Sequence, residues 1–182
     1  MPLLQRLIDQ KPPAEAADIV IVDDDVRIAS GDLARFIGLA QAASLDVAQP
    51  AHAPGSIFTW RVTRQLPFSI VRLSRFVEVG PVVLFSPAAQ GRFLPFPGAA
   101  RMGWGLDVQW ATSRSGLRFG VVDAVPMVHL APVAVDYSMP QEEEQLDAAR
   151  IAGGIGSLPE LDVSLGPVWR SFQKEPPWAS SR

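Results

Sequence analysis

Several residue types that carry common chemistries are scarce in this chain. It has no cysteine, which excludes disulfides, thiol nucleophiles and cysteine-ligated zinc. Its only histidines are His52 and His129, so a metal site built from several histidines is excluded as well. No apolar run approaches the roughly 18 residues that a membrane-spanning helix needs. The sequence therefore predicts no transmembrane segment.

What remains is the composition of a globular protein. The 182 residues are 48% hydrophobic and 19% charged, which is enough for one domain with a substantial core. The net charge of −3 implies no general attraction to nucleic acid or to an anionic membrane, so neither is an expected partner. The first residues lack the basic start and long apolar stretch of a secretory signal, and we expect a cytoplasmic protein.

The chain is organised around an apolar stretch that runs directly into three acids. Residues 19–22 are all β-branched and predict a strand buried on both faces, as in the parallel sheet of an α/β fold. Asp23, Asp24 and Asp25 follow at its carboxyl end, where open α/β sheets bind ligands. Adjacent carboxylates repel one another, and Mg²⁺ or Mn²⁺ prefers oxygen ligands. The pattern favours a metal or phosphate-linked site; the alternative is a solvated acidic turn that caps the next helix.

The rest of the chain predicts a series of helices and strands and then a tail. Ser30 is expected to cap the helix that follows the acidic loop. Arg72, Ser74 and Glu78 alternate along one strand, so that face is expected to be solvated or to line a cleft. Predicted helices span 2–10, about 31–44, a short segment from 87, about 106–114 and a segment from 139; predicted strands span 19–22, 46–50, 58–63, 71–79, 81–86, 118–122 and 126–130. We expect one domain over 1–154 and a loosely held Pro/Gly/Ser-rich tail over 155–182, part of which could dock through its isolated aromatics, Trp169 and Trp178.

A second candidate site is the segment Gly103-Trp104-Gly105-Leu106-Asp107. Its two glycines permit tight turns close to a ligand, and Trp104 offers a flat face for a sugar ring. Asp107 is expected in the first turn of a helix, where the dipole favours its ionised form. An ionised carboxylate in a cleft can accept a proton from a hydroxyl. The alternative is that Asp107 only caps the helix and Trp104 fills the core.

The third candidate is His129, at the end of the apolar segment Val125–Leu130. A neutral imidazole could complete a carboxylate-based metal site, although a lone histidine among apolar residues is more often part of the core. His52, in a Pro/Gly-containing loop, is expected at the surface. The chain has neither a GxxxxGK[ST] loop nor a GxGxxG loop. Ser69 and Ser86 lack a histidine at a recognisable spacing, which argues against a serine hydrolase.

Together the three candidates resemble the nucleotide-sugar glycosyltransferases of the GT-A fold, in particular family-2-like members. The resemblance rests on DxD at 23–25 after a strand, G-W-G-x-D at 103–107 at a helix start, and V-D-x-V-x-x-x-H at 122–129. The order and rough spacing agree over about residues 15–150, and the set is similar to that of uncharacterised bacterial proteins assigned to this class. The implied fold is α/β, a partial GT-A (Rossmann-like) mixed sheet flanked by helices.

The resemblance also implies a role for each candidate residue. The implied activity is metal-dependent transfer of a sugar from a nucleotide-diphosphate sugar to the hydroxyl of a glycan or other acceptor. Asp107 would be the base that deprotonates that hydroxyl. Motif order places Arg75, Glu78 and Arg101 near the acceptor or the diphosphate. The implied ligands of Mn²⁺ or Mg²⁺ are Asp23, Asp25 and His129, and the implied donor-binding residues are Asp23, Asp24, Gly103, Trp104 and Gly105.

One departure from the family pattern matters. Members normally carry a Rossmann-like nucleotide-binding half before the DxD strand, whereas only 22 residues precede Asp23 here. Exposed apolar strand edges would then favour self-association or a partner chain that completes the fold. One alternative is a truncated or degenerate non-catalytic domain that acts as a carbohydrate-binding or interaction module. Another is a different Mg²⁺-dependent phosphate enzyme, which the lack of a second acidic cluster at a neighbouring strand end argues against.

Overall fold

The computed structural model describes residues 1–131 and 139–173, and in these residues the strands form one mixed, open sheet. The strands are β1 (Ile19–Val22), β2 (Val26–Ile28), β3 (Val47–His52), β4 (Ser69–Ser74), β5 (Val82–Phe85), β6 (Phe119–His129) and β7 (Ser164–Arg170). Their order is β1-β5-β3-β6-β4-β7, and β2 pairs with β6. Strands β3 and β6 run parallel, and the other described pairs are antiparallel. The expected α/β class with a mixed sheet is confirmed.

Five helices flank this sheet in the described part of the chain. They are α1 (Pro2–Gln10), α2 (Leu33–Ala42), α3 (Pro87–Phe93), α4 (Leu106–Thr112) and α5 (Met139–Ala152), and short 3-10 helices occur at Arg61–Thr63 and Leu158–Glu160. Over residues 1–131 and 139–173, no helix is both long and apolar enough to cross a membrane. Asp32 caps α2 by accepting the backbone N–H of Arg35 at 2.7 Å, so the expectation that Ser30 is the cap is wrong.

The core lies on both faces of the sheet because successive strand residues point to opposite sides. On β5, Val83 and Phe85 pack in a cluster with aromatic residues of α3 and α4, including Trp110. Val82 and Leu84 face the other way and pack in a cluster with α2. The helices therefore cover both faces of the sheet, and β5 and β3 are buried along their whole length.

The strand that precedes the acids lies elsewhere in the sheet than the sequence predicts. β1 is the edge strand, pairs antiparallel with β5, and buries Ile21 while Val22 remains 49% exposed. The predicted burial on both faces and the parallel pairing of β1 are therefore wrong. A run of β-branched residues fits an edge strand as well as a central one, because the run does not reveal its number of neighbours.

Several predicted strands have different bounds. Residues 118–122 and 126–130 form one strand, β6, whose pairing with β3 shifts register between Val122 and Met127. The predicted strand 58–63 contains the 3-10 helix Arg61–Thr63. The predicted strand 71–79 ends at Ser74, and Arg72 and Ser74 are buried, so the expected solvated or cleft-lining face is wrong for these two residues, whereas Glu78 does line a cavity.

The chain after residue 155 is only partly a tail. Strand β7 lies within it and pairs antiparallel with β4 as the other edge of the sheet. The expectation of a loosely held segment is therefore wrong for Ser164–Arg170. Trp178 and the rest of 174–182 lie outside the described residues.

A buried ion pair joins β4 to β6 near the point where the register shifts. Arg72 Nε donates to Asp123 Oδ2 at 3.0 Å, and Arg72 and Asp123 are each 1% exposed. Desolvation raises the pKa of Asp123, whereas the charge of Arg72 lowers it. Asp123 also accepts the backbone N–H of Leu66 at 2.9 Å. The pair thus fixes the middle of the strand that carries His129 at its end.

We expect Arg72→Met to lower the free energy of unfolding by about 3–5 kcal/mol, because it leaves the Asp123 carboxylate buried without its cation. Urea unfolding of the purified variant measures this loss. The matched control is the double variant Arg72→Met/Asp123→Leu, which should recover most of the stability because no charge is then left unpaired. A single variant as stable as the parent would show that the pair contributes nothing.

Candidate functional site

The three segments selected from the sequence line one cavity of about 400 Å³. This volume lies within the range of small-molecule sites. The acidic loop after β1, the start of α4 and the end of β6 are far apart in the chain, and the fold brings them to the same wall. The polar lining residues are Asp23, Asp24, Asp25, Thr59, Glu78, Asp107 and His129, and Trp60, Trp104 and Trp110 are the tryptophans of the lining.

Backbone pairing fixes the acidic loop against the end of β6. β2 begins directly after the acids, and Val26 is paired with His129. The backbone carbonyl of Asp25 accepts the N–H of Leu130 at 3.0 Å. As a result, Asp25 Oδ2 lies 3.0 Å from Nε2 of His129. Both side chains are partly exposed to the cavity, so the first and third candidate segments form one polar cluster.

Asp23 is held beside this cluster by the segment before β5. Its N–H donates to the carbonyl of Pro81 at 2.8 Å. A Cβ at Gly80 would lie 2.8 Å from Asp23 Oδ2, and Gly80 has φ +73°, so only glycine fits here without strain. Desolvation raises the pKa of Asp23, Asp25 raises it further, His129 lowers it, and Asp24 adds a smaller increase. The loop is thus a site of crowded negative charge.

The donor set fits a hard divalent cation that a substrate helps to hold. Among residues 1–131 and 139–173, no group of three or more acidic or histidine side chains is close enough to hold a metal alone. Asp25 and His129 converge as two such groups, with Asp23 beside them. Mg²⁺ typically combines one or two carboxylates with water and substrate phosphates. The residues present therefore suit an ion completed by a diphosphate rather than one in a closed protein cage.

The charge of the lining supports the same reading. Five carboxylates line the cavity, and none of its described lining residues is a lysine or an arginine. The expected approach of Arg75 and Arg101 to the cavity is therefore not seen. These acids would repel a diphosphate, and an accompanying divalent cation would offset that repulsion.

The second segment contributes its tryptophan and one of its two glycines to the wall. Trp104 and Gly105 line the cavity, whereas Gly103 does not. Gly105 precedes α4 with φ +84°, and a Cβ there would lie 2.9 Å from the Gln145 carbonyl oxygen of α5. The glycine therefore allows α5 to pack closely against the start of α4, and this packing fixes the position of Asp107.

Asp107 is the most perturbed acid of the cavity. It is the second residue of α4, only 4% exposed, and its Oδ1 accepts the backbone N–H of Val108 at 2.8 Å. Burial raises the pKa of Asp107 to about 7; Glu78 also raises it, while backbone N–H groups of Val108 and Val79 oppose the rise. The expectation that the helix dipole keeps it ionised is wrong, because burial has the larger effect.

Sequence reasoning missed a hydrogen-bonded group behind the cavity. His52 is 1% exposed rather than at the surface. Its Nδ1 lies 2.9 Å from Ser56 Oγ, and its Nε2 lies 3.0 Å from Glu78 Oε2. Ser56 Oγ also accepts the N–H of His129 at 3.0 Å. Twenty-six residues separate His52 from Glu78, so no local pattern could have joined them.

The acids of the cavity fall into two electrostatic groups. The charges that shift the pKa of Asp23 are those of Asp25, His129 and Asp24. The side-chain charge that shifts the pKa of Asp107 is that of Glu78. We call the first group (Asp23, Asp24, Asp25 and His129) the loop half, and the second (Glu78 and Asp107) the helix half.

Comparisons with known proteins add no assignment. The chain matches no protein-family model, and no curated protein is significantly similar to it. A function must therefore be argued from the cavity itself.

Proposed function

We propose that this protein is a metal-dependent glycosyltransferase that moves a sugar from a nucleotide-diphosphate sugar to an acceptor hydroxyl. The observation that carries the proposal is the meeting of three distant segments in one cavity, with a loop half that suits a metal diphosphate and a helix half with a buried carboxylate. These are the segments on which the resemblance to GT-A enzymes rests. A cytoplasmic location, without nucleic acid as a partner, is part of the proposal.

In the loop half, Asp25 and His129 would hold Mn²⁺ or Mg²⁺, with Asp23 beside them and Asp24 assisting toward the nucleotide. A divalent ion, when bound, neutralises the negative charge that develops on a diphosphate leaving group. The five carboxylates of the cavity make that neutralisation a condition for donor binding. Trp104 offers a flat surface against which a sugar ring can pack.

In the helix half, Asp107 would act as the base. Its carboxylate takes the proton of the acceptor hydroxyl, and the oxygen lone pair forms the new bond to the anomeric carbon. The bond from that carbon to the diphosphate oxygen breaks, and its electron pair leaves with the nucleoside diphosphate. A base whose pKa is about 7 suits this task near neutral pH. Orienting both substrates in one cavity supplies further acceleration.

The first test is calorimetric titration of the purified chain with Mn²⁺ and a panel of nucleotide-diphosphate sugars. We expect one donor to bind only when Mn²⁺ is present. The loop half has too few ligands to hold the metal without the donor, and its negative charge repels the donor when the metal is absent. The control is Glu144→Ala, which removes an exposed acid of α5 outside the cavity and should leave binding unchanged.

Other outcomes have defined meanings. Metal binding without any donor would point to a half-site that a partner chain completes. Strand β1 is one of the two edges of the described sheet where such a chain could add, and Val22 on it is exposed. Binding of neither ligand would overturn the transferase proposal and favour a non-catalytic module.

A further inference from the structure

Hydrogen-bond contacts at both carboxylate oxygens hold the side chain of Glu78 in place. Its Oε1 accepts the backbone N–H of Thr59 at 3.2 Å, and its Oε2 lies 3.0 Å from Nε2 of His52. Its own N–H donates to the side-chain oxygen of Gln49. The side chain is nevertheless 12% exposed and lines the cavity. Each carboxylate oxygen has a second lone pair, so it can accept a hydrogen bond from a ligand.

The support behind Glu78 is a hydrogen-bonded chain that runs from His129 through Ser56 to His52. The N–H of His129 donates to Ser56 Oγ at 3.0 Å. The single hydroxyl proton of Ser56 also has an acceptor in the carbonyl oxygen of Ile57 at 3.1 Å, and a ring proton on Nε2 of His52 would donate to Glu78 Oε2. His52 therefore acts as a positioning residue for Glu78.

The surroundings of Glu78 decide which ligands it can accept. Among the described residues, the ion pairs of lysine and arginine join Arg72 to Asp123 and Arg150 to Asp147, so neither Glu78 nor Asp107 has such a partner. A hydroxyl or an ammonium group can donate to Glu78. A carboxylate or phosphate in the same place would be repelled by the charge of Glu78, which no lysine or arginine of the described residues offsets.

We propose, resting on the function proposed above, that Glu78 is the acceptor-recognition residue, and that it selects neutral or amino sugars over acidic or phosphorylated ones. Its carboxylate accepts a hydrogen bond from a hydroxyl or ammonium group next to the reacting hydroxyl. The helix half thereby distinguishes its ligand from the anionic donor, which binds in the loop half together with a cation.

The experiment measures binding of three probes, methyl glucoside, glucosamine and methyl glucuronide, to the full chain by NMR titration with diamagnetic Mg²⁺ present. These probes are respectively neutral, cationic and anionic at neutral pH. We expect the first two to bind at least about 10-fold more tightly than the third, because like charges brought together oppose binding. The same titrations are then repeated on Glu78→Gln, which keeps the shape of the side chain and removes its charge.

In Glu78→Gln we expect the preference against the glucuronide to fall to within about 3-fold, since removing the like charge removes the repulsion. Glu144→Gln, which changes an exposed acid outside the cavity, is the matched control and should keep the full preference. The dispersion of the NMR spectrum verifies that each variant is folded.

Equal binding of the three probes to the parent chain would overturn the inference, and so would a preference that survives in Glu78→Gln or a failure of every probe to bind. The outcome is separable from that of the proposed function. Donor binding without acceptor discrimination would contradict the role of Glu78 in acceptor selection and leave the proposed function standing. Discrimination that depends on Glu78 without any metal-dependent donor binding would sink the transferase and leave Glu78 as the selector of a neutral-sugar site.

Discussion

Asp107→Asn is expected to lower turnover by about 10²- to 10⁴-fold while leaving metal-dependent donor binding nearly unchanged. The amide keeps the shape of the side chain and its contact with the N–H of Val108, but it cannot take the proton of the acceptor. Donor binding should survive because Asp107 is not among the charges that act on Asp23, and the donor is expected to bind in the loop half. Initial rates together with donor titrations separate the two effects.

If Asp107 is the proposed base, turnover of the parent chain should show its pH dependence. Because the pKa of Asp107 is about 7, the carboxylate is mostly protonated below that pH and mostly ionised above it. Turnover should therefore rise as pH increases through about 7 and then level off. A full rate in Asp107→Asn, or a rate independent of pH across this range, would remove Asp107 as the base.

Asp107→Asn should lower turnover but raise the free energy of unfolding. The pKa of Asp107 is about 7 in the folded chain and near the ordinary 3.8 when unfolded, so between these values the folded state binds the extra proton. Stability of the parent should fall as pH rises from about 4 to about 7, by at most roughly 4 kcal/mol. The free energy of unfolding of Asp107→Asn, measured with urea, should not show this loss. The variant should therefore become more stable than the parent as pH rises over that interval, and the difference should vanish near about pH 4.

The three segments that line the cavity could be selected from the sequence because their signals are local. The acids of 23–25 follow an apolar run, and Asp107 follows two glycines at a helix start. Each segment showed by itself that it lies at the end of an element, which is where α/β folds place ligands. The rule was applied to a parallel β1, which the structure does not have; the acidic loop reaches the cavity because β2 pairs it with the end of β6.

Features that depend on packing could not be predicted in this way. The dipole argument for Asp107 used its position in the helix, whereas its pKa is set mainly by the burial that α5 and the cavity wall impose. His52 appeared to lie in a surface loop because its neighbours are proline, alanine and glycine. It is buried because β3 carries it into the sheet beside Met127 of β6. Such contacts arise from the pairing of distant segments, which no single window of sequence contains.

The loop half is tested most directly by Asp25→Ala, which we expect to abolish Mn²⁺-dependent donor binding. The substitution removes the oxygen that lies 3.0 Å from Nε2 of His129, and with it one of the two converging ligand groups. The fold should be preserved, because only the backbone carbonyl of Asp25 takes part in the bond to Leu130. Calorimetry with Mn²⁺ and the donor selected from the panel measures the loss, which should be at least about 100-fold since losing even an outer-shell partner costs 10–100-fold.

Two further variants decide how that loss is interpreted. His129→Ala should reproduce it, because both side chains belong to the same proposed set of ligands. Glu144→Ala, which removes an acid of α5 outside the cavity, should bind like the parent. If Asp25→Ala keeps its Mn²⁺ affinity, the contact between Asp25 and His129 serves only to tie the acidic loop to β6. The crowded acids would then form only a structural turn. Without a bound metal, their negative charge would keep anionic donors out of the whole cavity.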